Sequence, residues 1–430
     1  MALGVFVEGW TLGEATKRFK QLATRAFEKR RALRIPVYAS LAVPFCTYKY
    51  KSEGIESALK SSFGNNYLFG QNKGAPQSPA GSLSSCHDQV KVGVVACIDG
   101  RQQPCLLANY SRNPLSYGAE EDILQREDQQ DGDFRTWQAA RATSAAQTFF
   151  KPYVHKATSR AYVDGAVVRN NPVRVAYDES QKIWPSCRPD IVISIGTGIM
   201  VDDGGTPIIT RSPLVDGIKP FIPGRLVKMA EAGMDMVGAT LSCDRAWDDF
   251  QQSQSYDRRL VPNLHRLDVG LEHRPPKVDA VDDMLRLAEE SDYYLQQAPG
   301  VRFRSRRPIA DQMFDIAQRL RATLFWFSVP IDGNMEGGLV TGRIHCRLSP
   351  QSEGVGPLLT TGRPLFRSKE VMAGNRPQYH DVKKLTGFDE ATLSASVEVL
   401  VTGGNLRRVI EVKIHMPGRG DSEWEPISGF

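Results

Sequence analysis

The stretch Tyr162-Val163-Asp164-Gly165-Ala166-Val167-Val168-Arg169-Asn170-Asn171-Pro172 constrains the fold more than any other part of this chain. A short apolar run ends on Asp-Gly, and a helix start follows within a few residues. That order reads as strand, turn, helix. Glycine tolerates a positive φ, so Gly165 is expected in that conformation, leaving Asp164 at a strand tip. Asn171 is a good N-cap and Pro172 a good first helical residue, so a helix is predicted from there to about Asp178. A carboxylate held at a rigid strand-to-turn junction is placed to act as a general base.

The surrounding pattern extends this unit. Lys91 to Ile98 and Asp190 to Gly198 are apolar runs rich in β-branched residues and read as buried strands, with Pro104 to Asn109 a neighbour of the first. Helices are predicted over 52–63, 137–150, about 225–250 and 278–296. Alternating strands and helices predict βαβ units and an α/β fold with a mainly parallel sheet. Near the N-terminus Thr11-Leu12-Gly13-Glu14 has the capping-box pattern. It opens a helix expected to reach about Arg30, with Leu12, Ala15, Phe19, Leu22, Ala23 and Phe27 at near-helical spacing. Lys17, Arg18, Lys20, Arg25, Lys29, Arg30 and Arg31 decorate the same helix, most simply as a solvated face.

Composition shifts near residue 300. Arg302, Arg304, Arg306 and Arg307 precede a helix at about 309–322. Strand patterns follow at Thr323 to Val329, Leu339 to Leu348, Ser394 to Val401 and Val409 to Met416. The organisation read from this is residues 1–300 as one domain, 301–323 as a basic linker and helix, and 324–430 as a small antiparallel β module.

Several chemistries are excluded or disfavoured. Seven histidines and seven cysteines are scattered without metal-ligand spacing, so no metal site, no cofactor and no disulfide frame is expected. The formal charge of +5 over 430 residues gives no specific argument for nucleic acid. No apolar run approaches the roughly 20 residues that span a bilayer, and the N-terminal apolar stretch lacks a basic flank, so a cytoplasmic protein is expected. Neither a P-loop nor a GxSxG elbow occurs in these residues. Ser194, in Val192-Ile193-Ser194-Ile195-Gly196, is the nearest miss: a valine stands where the elbow needs glycine, so the serine reads as structural. Gly196-Thr197-Gly198 reads as a tight loop, and Asp203-Gly204-Gly205 as a surface turn.

Three stretches together resemble the patatin-like phospholipase family. They are Trp137-Gln138-Ala139-Ala140-Arg141-Ala142-Thr143-Ser144-Ala145-Ala146, the Asp164-Gly165-Ala166 motif with Asn170-Asn171-Pro172, and Ile193-Ser194-Ile195-Gly196-Thr197-Gly198. The resemblance implies an α/β sandwich that hydrolyses lipid and phospholipid acyl esters with a Ser–Asp dyad, and transient contact with membranes or lipid droplets. It places the catalytic aspartate on Asp164, with Asn170 and Asn171 in support. The family's GxSxG elbow is followed by an apolar helix and then a segment much like Glu8-Gly9-Trp10. Met1 to Phe6 therefore read as the second part of that helix, and the nucleophile and oxyanion loop are expected upstream of Met1. On that reading this chain retains the aspartate without the serine. A non-catalytic homologue that binds lipid or protein is the alternative.

Overall fold

The computed structural model describes residues 1–28, 48–69, 90–99, 103–110, 125–126, 134–146, 149–185, 187–200, 243–258, 260–271, 273, 276–297, 309–328, 339–348, 365–370, 378–381, 386–389, 394–400, 410–415 and 425–427. The Arg302–Arg307 cluster, the Asp203-Gly204-Gly205 turn and the first part of the helix predicted over 225–250 lie outside the described residues. The chain divides into two compact units. The first comprises Met1–Ser186, Gly196–Ser253 and Asp268–Gln297; the second comprises Cys187–Ile195, Gln254–Leu267 and Ala298–Phe430.

In the first unit, Leu3–Val7 forms a π-helical turn, and α1 (Leu12–Ala26) follows. Thr11 Oγ1 accepts from the Glu14 amide at 3.2 Å, which fixes the helix start. Glu14 does not return the bond; its carboxylate is held by Arg18 one turn on, at 2.6 Å. α1 ends at Ala26, short of the expected Arg30, where Phe27 leaves helical geometry and joins an aromatic cluster with Tyr50, Phe149 and Phe150. Its buried stripe is built from alanines 15, 23 and 26. Leu12 and Phe19, expected inside, are 72% and 48% exposed. Small residues let α1 lie close to its neighbours, and larger ones at the edge of such a stripe stay in solvent.

α2 (Ser52–Phe63) and α3 (Thr136–Thr143) cover one face of a five-stranded sheet. The sheet runs β3 (Gln125–Arg126), β2 (Gln103–Ala108), β1 (Gly93–Ile98), β5 (Arg160–Asp164), β4 (Tyr153–His155). Here the structure corrects the expectation of a mainly parallel sheet. β1 pairs antiparallel with both β2 and β5, β4 pairs antiparallel with β5, and only β2–β3 is parallel. The reason is connection length. Four residues join β1 to β2, enough for a hairpin, whereas a parallel pair needs a crossover of about a dozen residues. Strand alternation then sorts the side chains: Ala96, Ile98, Cys105, Leu107 and Tyr162 enter the core beneath α2 and α3, while Leu106 and Ala108 meet Val175 on the opposite face.

α3 is shorter than the predicted 137–150 helix. Ser144 ends it, its hydroxyl donating back to the Ala140 carbonyl at 2.7 Å. Ala139 and Ala142 are fully buried, and Thr143 Oγ1 donates to the Val95 carbonyl at 2.6 Å, tying α3 to β1. Arg141 is also fully buried. Its Nη2 donates to Ser52 Oγ and to the Lys151 carbonyl, and its Nε lies 3.5 Å from Glu56. These contacts pin α3 to α2, with the charge partly compensated.

α4 (Ala166–Arg169) and α5 (Val173–Ile183) follow β5. Residues 243–253 are helical, and α6 (Met284–Gln297) falls in the region of the predicted 278–296 helix. β7 (Ile199–Met200) and β9 (Gly270–Leu271) form a short parallel pair. Just ahead of β7 the Gly196–Gly198 turn wraps Asp268. Gly198 sits at φ +98° and its N–H donates to Asp268 Oδ1 at 2.8 Å.

In the second unit β6 (Val192–Ile195) and β8 (Leu264–Leu267) pair in parallel. α7 (Ile309–Thr323) is anchored by Arg319, whose Nη2 lies 2.6 Å from Asp190 Oδ1. The remaining strands form two antiparallel four-stranded sheets. One has the order β10 (Phe325–Ser328), β11 (Leu339–Cys346), β15 (Ser394–Leu400), β14 (Thr386–Asp389). The other has β13 (Gln378–Asp381), β12 (Leu365–Glu370), β16 (Ile410–His415), β17 (Glu425–Pro426). No described helix is long and apolar enough to cross a membrane.

The tight α3 face gives a direct test. Ala139→Leu adds an isopropyl group where no space exists and is expected to destabilise the chain by about 1–3 kcal/mol, read as a lowered urea midpoint.

Candidate active site

Asp164 is the last residue of β5, paired with Ala96 of β1. Its backbone N–H donates to the Ala145 carbonyl at 3.1 Å, just past the end of α3. The early stop of α3 therefore has a positional consequence: it turns the chain so that Ala145 meets the strand carrying Asp164. The side chain is half-buried. Among the described residues its carboxylate accepts one hydrogen bond, from the Ala166 amide to Oδ1 at 2.9 Å.

Gly165 is needed here for a different reason from the one its type suggests. Its φ is −69°, an ordinary right-handed value, so the expected positive φ is corrected. A Cβ at this position would stand 2.4 Å from the Val95 carbonyl oxygen. Glycine is required because the turn presses against the β1 backbone. The sequence carries no signal for that contact, since it depends on a strand about 70 residues away.

The helix after this turn also begins later than expected. Pro172 is the cap and α5 starts at Val173, running to Ile183 rather than stopping near Asp178. Asn171 still caps: its Oδ1 accepts from the Val173 amide at 3.1 Å, and its Nδ2 donates to the Cys243 carbonyl at 3.1 Å. Buried Asn171 thus ties the turn to the 243–253 segment. Asn170 is half-buried at the end of α4. Asn171 thus holds the polypeptide that follows the carboxylate.

Burial raises the Asp164 pKa above the ordinary carboxylate value, and the Ala166 N–H opposes that rise. A raised pKa makes the carboxylate a stronger base than a solvated aspartate. Nearby nucleophile candidates are poor ones. The Cys97 thiol is buried, and burial together with the Asp164 charge pushes it up to about 11, so it is protonated at neutral pH. The Thr143 and Ser144 hydroxyls are both committed to backbone carbonyls. In the second unit, Ser194 is buried on β6 with its Oγ accepting from Arg266 Nη1 at 3.0 Å. Among the described residues no three His, Cys, Asp or Glu side chains come together as a metal site.

Two substitutions separate the roles. Gly165→Ala forces the β1 backbone to shift and is expected to destabilise by about 1–3 kcal/mol, measurable by urea denaturation. Asp164→Asn is expected to stabilise. The folded pKa of Asp164 lies above its unfolded value, so its favourable contribution is fully present below the unfolded pKa. It is lost as pH rises through the folded pKa. Asparagine keeps the acceptor for Ala166 and does not ionise. The variant should therefore melt higher than the parent at about pH 7, with the difference shrinking towards about pH 3, as followed by differential scanning calorimetry.

Residues 80–177 match the patatin-like phospholipase family. Phospholipase A I of Arabidopsis thaliana is 41% identical over 64 residues, covering 15% of this chain and 5% of that protein. Calcium-independent phospholipase A2-gamma of Mus musculus is 38% identical over 65 residues, and its Homo sapiens counterpart 35%; each match covers 15% of this chain and 8% of the relative. The chain thus matches less than a tenth of the length of these relatives. No solved structure matches it. The matched segment, similar to the patatin-like phospholipase family, contains the five-stranded sheet, the Asp164 turn and both asparagines.

Proposed function

We propose that this chain carries the base half of a lipid acyl hydrolase. In this reading Asp164 accepts the proton of a serine hydroxyl as its oxygen attacks the carbonyl of a phospholipid or other lipid acyl ester. It then returns the proton to the departing alcohol oxygen. The observation that carries this is the state of the Asp164 carboxylate: half-buried at a strand end, with a raised pKa and one backbone donor. Weak solvation and an open acceptor site are what a base without histidine requires. Asn170 and Asn171 position it through the turn and cap. The relatives' names support phospholipid as the ester class.

The serine is the missing partner. These residues contain no GxSxG elbow, so on this proposal the nucleophile and the oxyanion donors are supplied from outside them. Residues 1–300 then form the acyl hydrolase domain, and 324–430 an appended β module. Substrate chemistry implies peripheral contact with membrane or lipid-droplet surfaces, from a cytoplasmic location, with no cofactor.

The test is hydrolysis of a fluorogenic phospholipid. The 430 residues alone are expected to give no turnover. A fusion restoring the in-frame upstream genomic sequence with its GxSxG should be active, and Asp164→Ala in that fusion should lower the rate by about 10²–10⁴-fold. Activity that survives Asp164→Ala would overturn the assignment. An inactive fusion that still binds lipid vesicles would favour a non-catalytic homologue.

A further inference from the structure

Away from Asp164, α1 and α2 enclose a cleft of about 300 Å³ lined by Lys17, Arg18, Gln21, Arg25, Ser61 and Ser62, among other residues. Lys17, Gln21 and Arg25 recur every four residues and stack along one line of α1 facing this cleft. Arg18 forms a fixed wall. It is paired with Glu14, donates Nη1 to the Ser62 carbonyl at 2.9 Å, and lies over the Trp10 ring with 4.5 Å to the centroid. Glu14, which also borders the cleft, is therefore already neutralised. Lys17 and Arg25 have no carboxylate partner among the described residues.

We infer that this cleft binds a phosphate group. A solvated basic face would present cations on a convex surface. Here two cations without a carboxylate partner among the described residues, one above and one below an amide, share a concave site with two serines of the facing helix. Residues four apart on a helix are surface neighbours, so an anion at Gln21 has Lys17 on one side and Arg25 on the other, and Ser61 and Ser62 border the same cleft. That combination of charge-assisted and neutral donors is the chemistry of phosphate recognition. The cleft is large enough for a phosphate ester with a small alcohol. The same chemistry serves a soluble phosphate ester or the headgroup of an anionic phospholipid.

The full chain is tested with two probes: glycerol 3-phosphate, followed by calorimetric titration, and phosphatidylcholine vesicles with and without phosphatidic acid, followed by co-sedimentation. Binding of either phosphate probe is expected. Saturation by the soluble ester without vesicle capture identifies a free ester as the source; capture only by phosphatidic acid vesicles identifies the headgroup. Lys17→Glu combined with Arg25→Glu should weaken the interaction at least about tenfold. Arg174→Glu, which changes an exposed cation on α5, should leave it unchanged. Gln21→Trp keeps every charge and fills the cleft, and should also weaken binding, with circular dichroism confirming that each variant is folded. The inference is overturned if the parent chain binds neither probe, if Gln21→Trp binds normally, or if Arg174→Glu weakens binding as much as the double variant.

Discussion

The contact on which the Asp164 region depends is the approach of the Gly165 backbone to the Val95 carbonyl. With no side chain between them, the turn closes directly onto β1, and the pairing of Ala96 with Asp164 can run to the last residue of the strand. Two further bonds complete the placement: Asp164 N–H to the Ala145 carbonyl, and Ala166 N–H to the carboxylate. The donor in each is a main-chain amide. Among the described residues the side chain is held in position without a salt bridge that would satisfy its charge.

This division explains the electrostatics. A carboxylate buried beside an arginine would be a weak base, because the cation would favour the ionised form. Here Arg141, a buried cation of this unit, is engaged by Ser52, Lys151 and Glu56, joining α3 to α2. The hydroxyls at the end of α3 are likewise used on carbonyls. The structure thus keeps strong polar partners in the scaffold and leaves the carboxylate under-solvated. Such a group detracts from stability at neutral pH.

Much of this is legible in the sequence, though often for an incomplete reason. The strand–turn–helix pattern locates Asp164, and both β6 and the C-terminal strands are visible from their apolar, β-branched runs. Gly165 is recognisable as special, but a glycine needed for a positive φ and one needed for close approach look the same in sequence. Asn171 is recognisable as a cap, yet its second bond, to Cys243, is long-range and leaves no local signature. Sheet direction is hidden because a continuous apolar strand is buried on both faces in either orientation; the short link to β2 is the better signal. The run of small residues from Ala139 to Ala146 reads as one continuous helix, whereas Ser144 bonds back to its own helix and ends it.

The antiparallel link between β1 and β2 also bears on how the chain assembles. That hairpin joins residues close in sequence, so its loop-closure entropy is small and it can form early. The pairing of β1 with β5 closes a loop of about 70 residues and must come later. Asp164 is therefore set in place by one of the slower, non-local steps of folding, after the strand it leans on already exists. A chain delayed at that step would hold a formed hairpin with β1 exposed along one edge, the edge that β5 finally covers.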